Sequence, residues 1–177
     1  MTALDAVHLA AFDAILQLPG AEHPSAPGSI DSLAPHDRER ALNIAVRRLA
    51  FQLLYEVDAA ATPIDAIADR LAGVEGLGPM ARDRVAALVR GAYESRLTAD
   101  EEFQSLAPEW PTHRQAAVDR AILRLAHHEL TTGLTPGKVV IHEAVELAKH
   151  FSTEKSPAFI NALLDKVLRR VHPGGEP

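Results

Sequence analysis

The segment "VVIHEAVELAKHF", residues 139–151, carries apolar side chains on one side and polar side chains on the other. At about 100° of rotation per residue, the apolar side chains form one stripe along a helix. They are Val140, Ala144, Leu147 and Phe151. Segments with the same period recur along the chain, and none alternates with a period of two for long enough to indicate a strand. The sequence therefore predicts an all-α fold of about seven helices with short connections, packed as bundles.

The polar side of the same segment carries His142, Glu146 and His150, a row that could chelate a metal. The zinc motif H-E-x-x-H requires a second His one turn after the first, whereas Glu146 follows His142 here. We expect a solvated polar face, with metal binding and a partner contact as the alternatives. The adjacent His127 and His128 diverge by about 100° on a helix and cannot share a ligand.

Several classes of site are excluded by the absence of their motifs. The chain has no Cys, no Gly-rich phosphate loop and no G-x-S-x-G elbow. We therefore predict that the protein is not an enzyme and binds no cofactor or metal.

The first 36 residues differ from the rest of the chain. They hold four acidic residues and no Lys or Arg. Residues 3–18 have helical apolar spacing, and residues 20–35 are rich in Gly, Pro and Ser, which is typical of a linker. We therefore expect an acidic helical appendage over 1–36, a helical domain over 37–172 and a disordered tail over 173–177.

The start of the chain also indicates the cellular compartment of the protein. It lacks the basic residues that open a signal peptide, and no apolar run approaches the roughly 18 residues of a membrane span. The lack of Cys agrees with a reducing cytosol. We predict a cytoplasmic protein that does not contact a membrane.

Capping residues suggest where individual helices begin. Asp37 is a plausible first cap, and Thr98 with Glu101 and Thr112 with Gln115 match the capping-box pattern. We therefore expect helices to begin at these three places. Another helix is predicted to begin at Ser156-Pro157, and Gly133 is expected to stop the helix before it.

Positive charge is concentrated in one short segment. The net charge is −6, yet "DRERALNIAVRR", residues 37–48, has four Arg against two acids. Arg40 and Arg47 are seven residues apart and nearly superposed on a helix, and Arg48 lies about 100° round, towards Tyr55. Exposed Arg is ordinary on a helix, but Arg binds phosphate in two-pronged fashion and Tyr can stack on an unpaired base. The sequence allows a small nucleic-acid site here.

Four segments resemble the NusB family of transcription antitermination factors in order and distance. They are "RRLAFQLLYEVD" (47–58), "VDRAILRLAHHEL" (118–130), "VVIHEAVELAKHF" (139–151) and "FINALLDKV" (159–167). The resemblance implies an all-helical fold of two small bundles without enzymatic activity. It also implies binding of boxA-type single-stranded RNA together with the NusE ribosomal protein. The two would join elongating RNA polymerase and other Nus factors on ribosomal RNA operons. Parts of the family pair with themselves, so a homodimer stays open.

The resemblance also implies particular site residues. RNA contacts are expected from the arginine-rich segment and the following ring, namely Arg38, Arg40, Arg47, Arg48 and Tyr55. A second RNA region is expected at Lys155 and Phe159, although Phe159 is equally well read as a core residue. Asp119 is expected to face NusE, with compensation of the helix dipole as the alternative. The chain departs from the family pattern at His142, where Asn is usual, and at Asn43, where many members are basic.

A different class of function remains open. The chain could be a NusB-like accessory RNA-binding or scaffold module, related to the domain that precedes the catalytic half of certain RNA cytosine methyltransferases. Only "HPGGEP" follows residue 171, which favours the free-standing factor.

Overall fold

The structure is a computed structural model, and it describes residues 34–74 and 77–173. These residues form α-helices joined by short connections, with 3-10 turns at Ile64–Ala66 and Thr112–Arg114 and no strand. The helices are α1 (Pro35–Ala59), α2 (Ile67–Ala72), α3 (Pro79–Glu94), α4 (Arg96–Leu106), α5 (Ala117–Thr132), α6 (Gly137–Phe151) and α7 (Ser156–Val171). The prediction of an all-α fold is confirmed. No helix of the described residues has the length and apolar character needed to cross a membrane.

The described residues divide into two compact units, as the two expected bundles require. Unit 1 contains residues 34–50 and 65–87, and unit 2 contains residues 51–64 and 88–173. Helices α1 and α3 contribute residues to both units. Most of the predicted appendage and residues 174–177 of the predicted tail lie outside the described residues.

Helix α1 begins two residues earlier than its predicted cap. Pro35 is its first residue, and the N–H of Arg38 already donates to the carbonyl of Ala34 at 2.8 Å. Proline suits a first helical position because its φ angle is already helical and it has no N–H to leave unpaired. Asp37 therefore lies within the first turn, where its charge compensates the helix dipole.

Unit 1 has an aliphatic core supplied by three helices. Its buried apolar side chains include Ala41, Ile44, Ala45, Val46 and Leu49 of α1, Ile67 and Leu71 of α2, and Ala81 and Val85 of α3. Burying each of the larger side chains contributes roughly 1.5–3 kcal/mol. The guanidinium of Arg82 donates to the carbonyl of Val74 at 3.0 Å and so ties the segment after α2 to α3.

Unit 2 is built around the mutual packing of α5, α6 and α7, and α4 packs against α5 and α7. Its largest fully buried side chains are Phe103, Ile122, Leu123, Leu130, Ile160, Leu164 and Val89. At the end of α6, the ring of Phe151 lies 5.3 Å from that of Phe51 on α1, measured between centroids. The stripe predicted on residues 139–151 is the core-facing side of α6, since Val140, Ala144 and Leu147 are all buried.

A network of charged side chains joins three helices of unit 2. Arg124 on α5 donates to both carboxylate oxygens of Asp100 on α4, at 2.9 and 2.7 Å, and to Asp58 on α1 at 2.9 Å. Arg120, one turn earlier on α5, donates to Asp58 at 2.6 Å. Burial alone would raise the pKa of Asp58, but hydrogen bonds and charges from Arg120 and Arg124 outweigh it and hold this pKa below its ordinary value.

Gly91 allows α3 and α5 to approach closely within unit 2. A Cβ atom at this position would overlap the imidazole ring of His128, so a larger residue here would require this ring to move. Burial lowers the pKa of His128 below its ordinary value. The adjacent His127 lies 3.1 Å from a carboxylate oxygen of Glu102 on α4 instead. The two histidines thus contact different helices, as their angular separation predicts.

The two predicted capping boxes are wrong. The predicted helix end at Gly133 and the predicted helix start at Ser156 are confirmed. The N–H of Ala99 bonds to the carbonyl of Ser95, so α4 is already helical before Thr98. The side chain of Thr112 donates to the carbonyl of Asp100, and that of Gln115 donates to the carbonyl of Trp110. These side chains serve tertiary and turn contacts, and α5 begins only at Ala117. Gly133 ends α5 with a φ of 65°, and α7 begins at Ser156.

Replacing Arg124 by Met is expected to lower the free energy of unfolding by about 2–3 kcal/mol. Removing one partner of a fully buried pair costs about 3–5 kcal/mol, and the 13% exposure of the Arg124 side chain reduces this. Urea denaturation followed by circular dichroism measures the change. The matched control is Arg169→Met, which breaks an exposed pair with Asp165 worth less than about 0.5 kcal/mol. Equal losses in both variants would contradict the structural role of Arg124.

Candidate RNA-binding surfaces

The arginines of α1 are only partly available at the surface of unit 1. Arg38 is exposed and Arg40 is half-buried, whereas Arg47 and Arg48 are 8% and 3% exposed. Arg38, Arg47 and Arg48 also take part in interactions within the chain. The expected RNA contacts of Arg47 and Arg48 stay predictions, for which little of either residue is accessible. The reason is that every residue of α1 from 44 to 51 is buried, so this stretch of helix has no solvent-facing side.

Tyr55 lies on the part of α1 that belongs to unit 2. Its side chain is 39% exposed, although the neighbouring Leu53, Leu54 and Val57 are buried. An accessible aromatic ring on a rigid helix offers one face to an unpaired base at little cost in conformational entropy. The geometry is therefore compatible with the predicted stacking role.

Lys155 and Phe159 lie together at the start of α7. Lys155 is exposed and directly precedes Ser156, the first residue of the helix. Phe159 follows one turn later, and residues four apart are neighbours on the surface of a helix. The structure therefore brings the predicted charge and the predicted ring to one place.

Phe159 is neither a core residue nor a fully exposed ring. It is half-buried and lines a surface groove of about 410 Å³. The groove is also lined by Leu106, Ala107, Pro108, Glu109, Trp110, Ala162, Leu163 and Lys166. Trp110 is 46% exposed, and the guanidinium carbon of Arg114 lies 5.3 Å from its ring centroid. The intermediate burial of Phe159 is compatible with both interpretations, a packing residue and an RNA contact, and its role in RNA binding stays a prediction.

Asp119 is buried, and its carboxylate holds the turn between α6 and α7. Its Oδ1 atom accepts a hydrogen bond from Ser152 at 2.6 Å, and its Oδ2 atom accepts one from Ser156 at 2.9 Å. The side chain of Thr153 also lies 2.8 Å from the Ser156 hydroxyl. This turn carries Lys155, so Asp119 fixes the backbone from which Lys155 projects. The expected contact between Asp119 and a partner protein stays a prediction, and only 7% of the residue is exposed for it.

Sequence reasoning missed the pairing of Asp119 with two serines. Ser152 and Ser156 lie 33 and 37 positions away from the carboxylate. No local signal joins residues at such separations. The side chains meet only because α5, α6 and α7 pack together.

The row of His142, Glu146 and His150 does not converge on a metal site. Glu146 accepts a hydrogen bond from Lys149 at 2.6 Å, and the Nδ1 atom of His150 lies 2.7 Å from the carbonyl of Glu146. Within residues 34–74 and 77–173, no three His, Asp or Glu side chains are arranged to hold a metal ion. The expected solvated polar face describes this side of α6, where His142 and His150 are exposed.

Comparison with known proteins gives consistent matches over most of the chain. The model of the NusB family matches residues 44–169. The transcription antitermination protein NusB of Herpetosiphon aurantiacus is 37% identical over 129 residues, which cover 71% of this chain and 88% of that protein. The protein of the same name from Anaeromyxobacter dehalogenans is 41% identical over 128 residues, covering 72% and 90%.

A solved structure of a NusB protein also matches this chain. T. maritima NusB has a TM-score of 0.64 and 28% sequence identity to this chain, covering 71% of this chain and 89% of that one. Because the curated relatives match over nearly their whole length and are antitermination proteins, the comparison favours the antitermination factor over the accessory module. The chain belongs to the NusB family of transcription antitermination proteins.

Proposed function

We propose that the protein works in the cytoplasm as an RNA-binding antitermination factor and has no catalytic activity. It binds boxA-type single-stranded RNA jointly with the NusE ribosomal protein. The assembly then joins elongating RNA polymerase and other Nus factors on ribosomal RNA operons. The proposal is supported by family membership and by the surfaces described above, and it requires no cofactor.

The observation that carries this proposal is the pairing of Lys155 with Phe159. The ammonium group of Lys155 supplies a charge for a phosphate, and the half-buried ring of Phe159 supplies a stacking surface one turn away. Asp119 holds the turn that precedes α7, so the charge projects from a fixed backbone. A phosphate contact next to an aromatic ring is the combination by which proteins hold unpaired RNA.

The arginines contribute to RNA binding in different ways. Arg38 and Arg40 have accessible surface and are assigned direct phosphate contacts, and Tyr55 is assigned a stacking contact. Arg47 and Arg48 are buried, so they reach RNA only after a rearrangement of their surroundings. We therefore place the first phosphate contacts at Arg38, Arg40 and Lys155.

Few phosphate contacts imply modest affinity for RNA alone. The log of the binding constant for single strands changes by about 0.7 per contact for each tenfold change in salt, so three contacts give a shallow slope. A second protein that binds the same RNA increases overall affinity without new contacts on this chain. NusE is therefore part of the proposed assembly, and Asp119 is its proposed contact on this chain.

The proposed function is tested by gel shift of labelled boxA RNA with the full-length chain, NusE or both. We expect a stable complex with both proteins, weak binding by the chain alone, and a gradual weakening of the complex as salt rises, because only part of the contacts is to phosphates. A scrambled RNA of equal length is the specificity control. A mixture that fails to shift boxA RNA at low salt, with NusE shown to be folded, would overturn the proposal.

Replacing Lys155 by Gln is expected to reduce the salt slope of RNA binding by about 0.7, the value of one phosphate contact on a single strand. Fluorescence anisotropy across a salt series measures the slope. Lys149→Gln is the matched control, since Lys149 is 54% exposed and already paired with Glu146 on α6. If both variants change the slope equally, Lys155 acts through net charge alone and is not a contact.

Replacing Phe159 by Leu is expected to weaken RNA binding by about 1–3 kcal/mol while leaving the salt slope unchanged, because stacking on an aromatic ring is lost and no charge is removed. Leu retains apolar packing in the groove. Anisotropy at one salt concentration gives the affinity, and thermal unfolding gives the stability. A variant with lower stability but wild-type affinity would show that Phe159 serves only in packing.

A further inference from the structure

A cation from a different helix lies on the basic side of α1 in unit 1. Arg84, on α3, is exposed, and its Nη2 atom donates to the Oδ1 atom of Asn43 at 2.7 Å. Asn43 is half-buried on α1. The two residues are separated by 41 positions in sequence. The hydrogen bond therefore brings the guanidinium of Arg84 to the surface of α1 by tertiary packing.

The position of Asn43 shows where on the surface of α1 the guanidinium of Arg84 lies. Asn43 follows Arg40 by three residues, and residues three apart are neighbours on one side of a helix. The guanidinium of Arg84 is therefore held about one turn from Arg40. The hydrogen bond to Asn43 occupies one of the five N–H donors of the guanidinium group, and a phosphate needs two.

We infer that Arg84 is an RNA phosphate contact and that Asn43 is its positioning residue. The inference rests on the proposed function and extends it, because it makes the cationic surface a product of two helices. Arg40 and Arg84 form this surface, hereafter the two-helix surface. A guanidinium that is already oriented by one hydrogen bond loses less conformational freedom when it grips a phosphate.

Acidic neighbours limit the length of RNA that the two-helix surface can bind. Glu39 and Asp83 are exposed, and Glu39 lies one turn before Asn43 on α1. A carboxylate here repels phosphate, so the surface suits a short strand segment more than a long polyanion. Replacing Glu39 by Gln should therefore strengthen RNA binding several-fold at low salt.

The experiment compares Arg84→Gln with the unaltered full-length chain in binding boxA-type RNA with NusE across a salt series. We expect several-fold weaker binding at low salt and a salt slope reduced by about 0.7. Arg84→Lys should restore the slope, because it restores the charge. The control is Arg169→Gln, which removes the same charge from a side chain that is 79% exposed on α7. Its slope should stay at the unaltered value.

Asn43→Ala tests the positioning role separately. This variant keeps every charge, so affinity should fall while the salt slope stays unchanged. In the double variant with Arg84→Gln, the Asn43 substitution should have no further effect, because its only expected role is to orient Arg84. Additive losses would overturn the positioning role of Asn43.

The outcomes separate this inference from the proposed function. If the unaltered chain binds RNA but Arg84→Gln leaves the slope unchanged, Arg84 is not a contact and the proposed function stands. Equal slope changes in Arg84→Gln and Arg169→Gln would also overturn the inference, since they would reflect net charge. If the unaltered chain and NusE bind no boxA RNA, both the inference about Arg84 and the proposed function are wrong. Circular dichroism and the Tm of each variant confirm that it is folded.

Discussion

The guanidinium of Arg124, held between the carboxylates of Asp100 and Asp58, is the interaction on which the arrangement of unit 2 depends. It fixes α5 against α4 and against the last turns of α1. Helix α5 also carries Asp119 in its first turn, and Asp119 holds the turn that presents Lys155. A structural ion pair and a candidate contact with RNA are thus connected through one helix, because displacing α5 would displace the carboxylate that orders the turn.

The charged network is suited to fixing the position of α5 because its hydrogen bonds are directional. Apolar side chains of α5 such as Leu123 and Leu130 supply most of the burial, but apolar contacts alone tolerate small shifts of one helix along another. The forked hydrogen bonds of Arg124 to Asp100 allow only one register. The low pKa of Asp58 follows from the same arrangement, since its ionised form is the one that Arg120 and Arg124 stabilise.

Local patterns in the sequence predicted the helices well. They predicted the helix starts and the contacts between helices less well. Helix α6 could be read from its apolar stripe because periodicity is a local property. At Thr112 the predicted capping box fails because its side chain bonds to the carbonyl of Asp100, and at Thr98 it fails because the helix has already begun. The burial of Arg47 and the position of Arg84 beside Asn43 depend on how helices meet, and no spacing within one segment encodes that.

The charge of the chain limits how it can hold RNA. With a net charge of −6 there is no strong positive field to draw in a polyanion, so binding must rely on short-range contacts. Exposed Lys and Arg side chains are spread over several helices, and acidic side chains such as Glu39 lie among them. In the proposed complex, rings such as Tyr55 and Phe159 are therefore expected to carry a larger share of the interaction than they would on a basic protein. Because stacking is largely insensitive to salt, the complex should keep part of its affinity at salt concentrations that remove phosphate contacts.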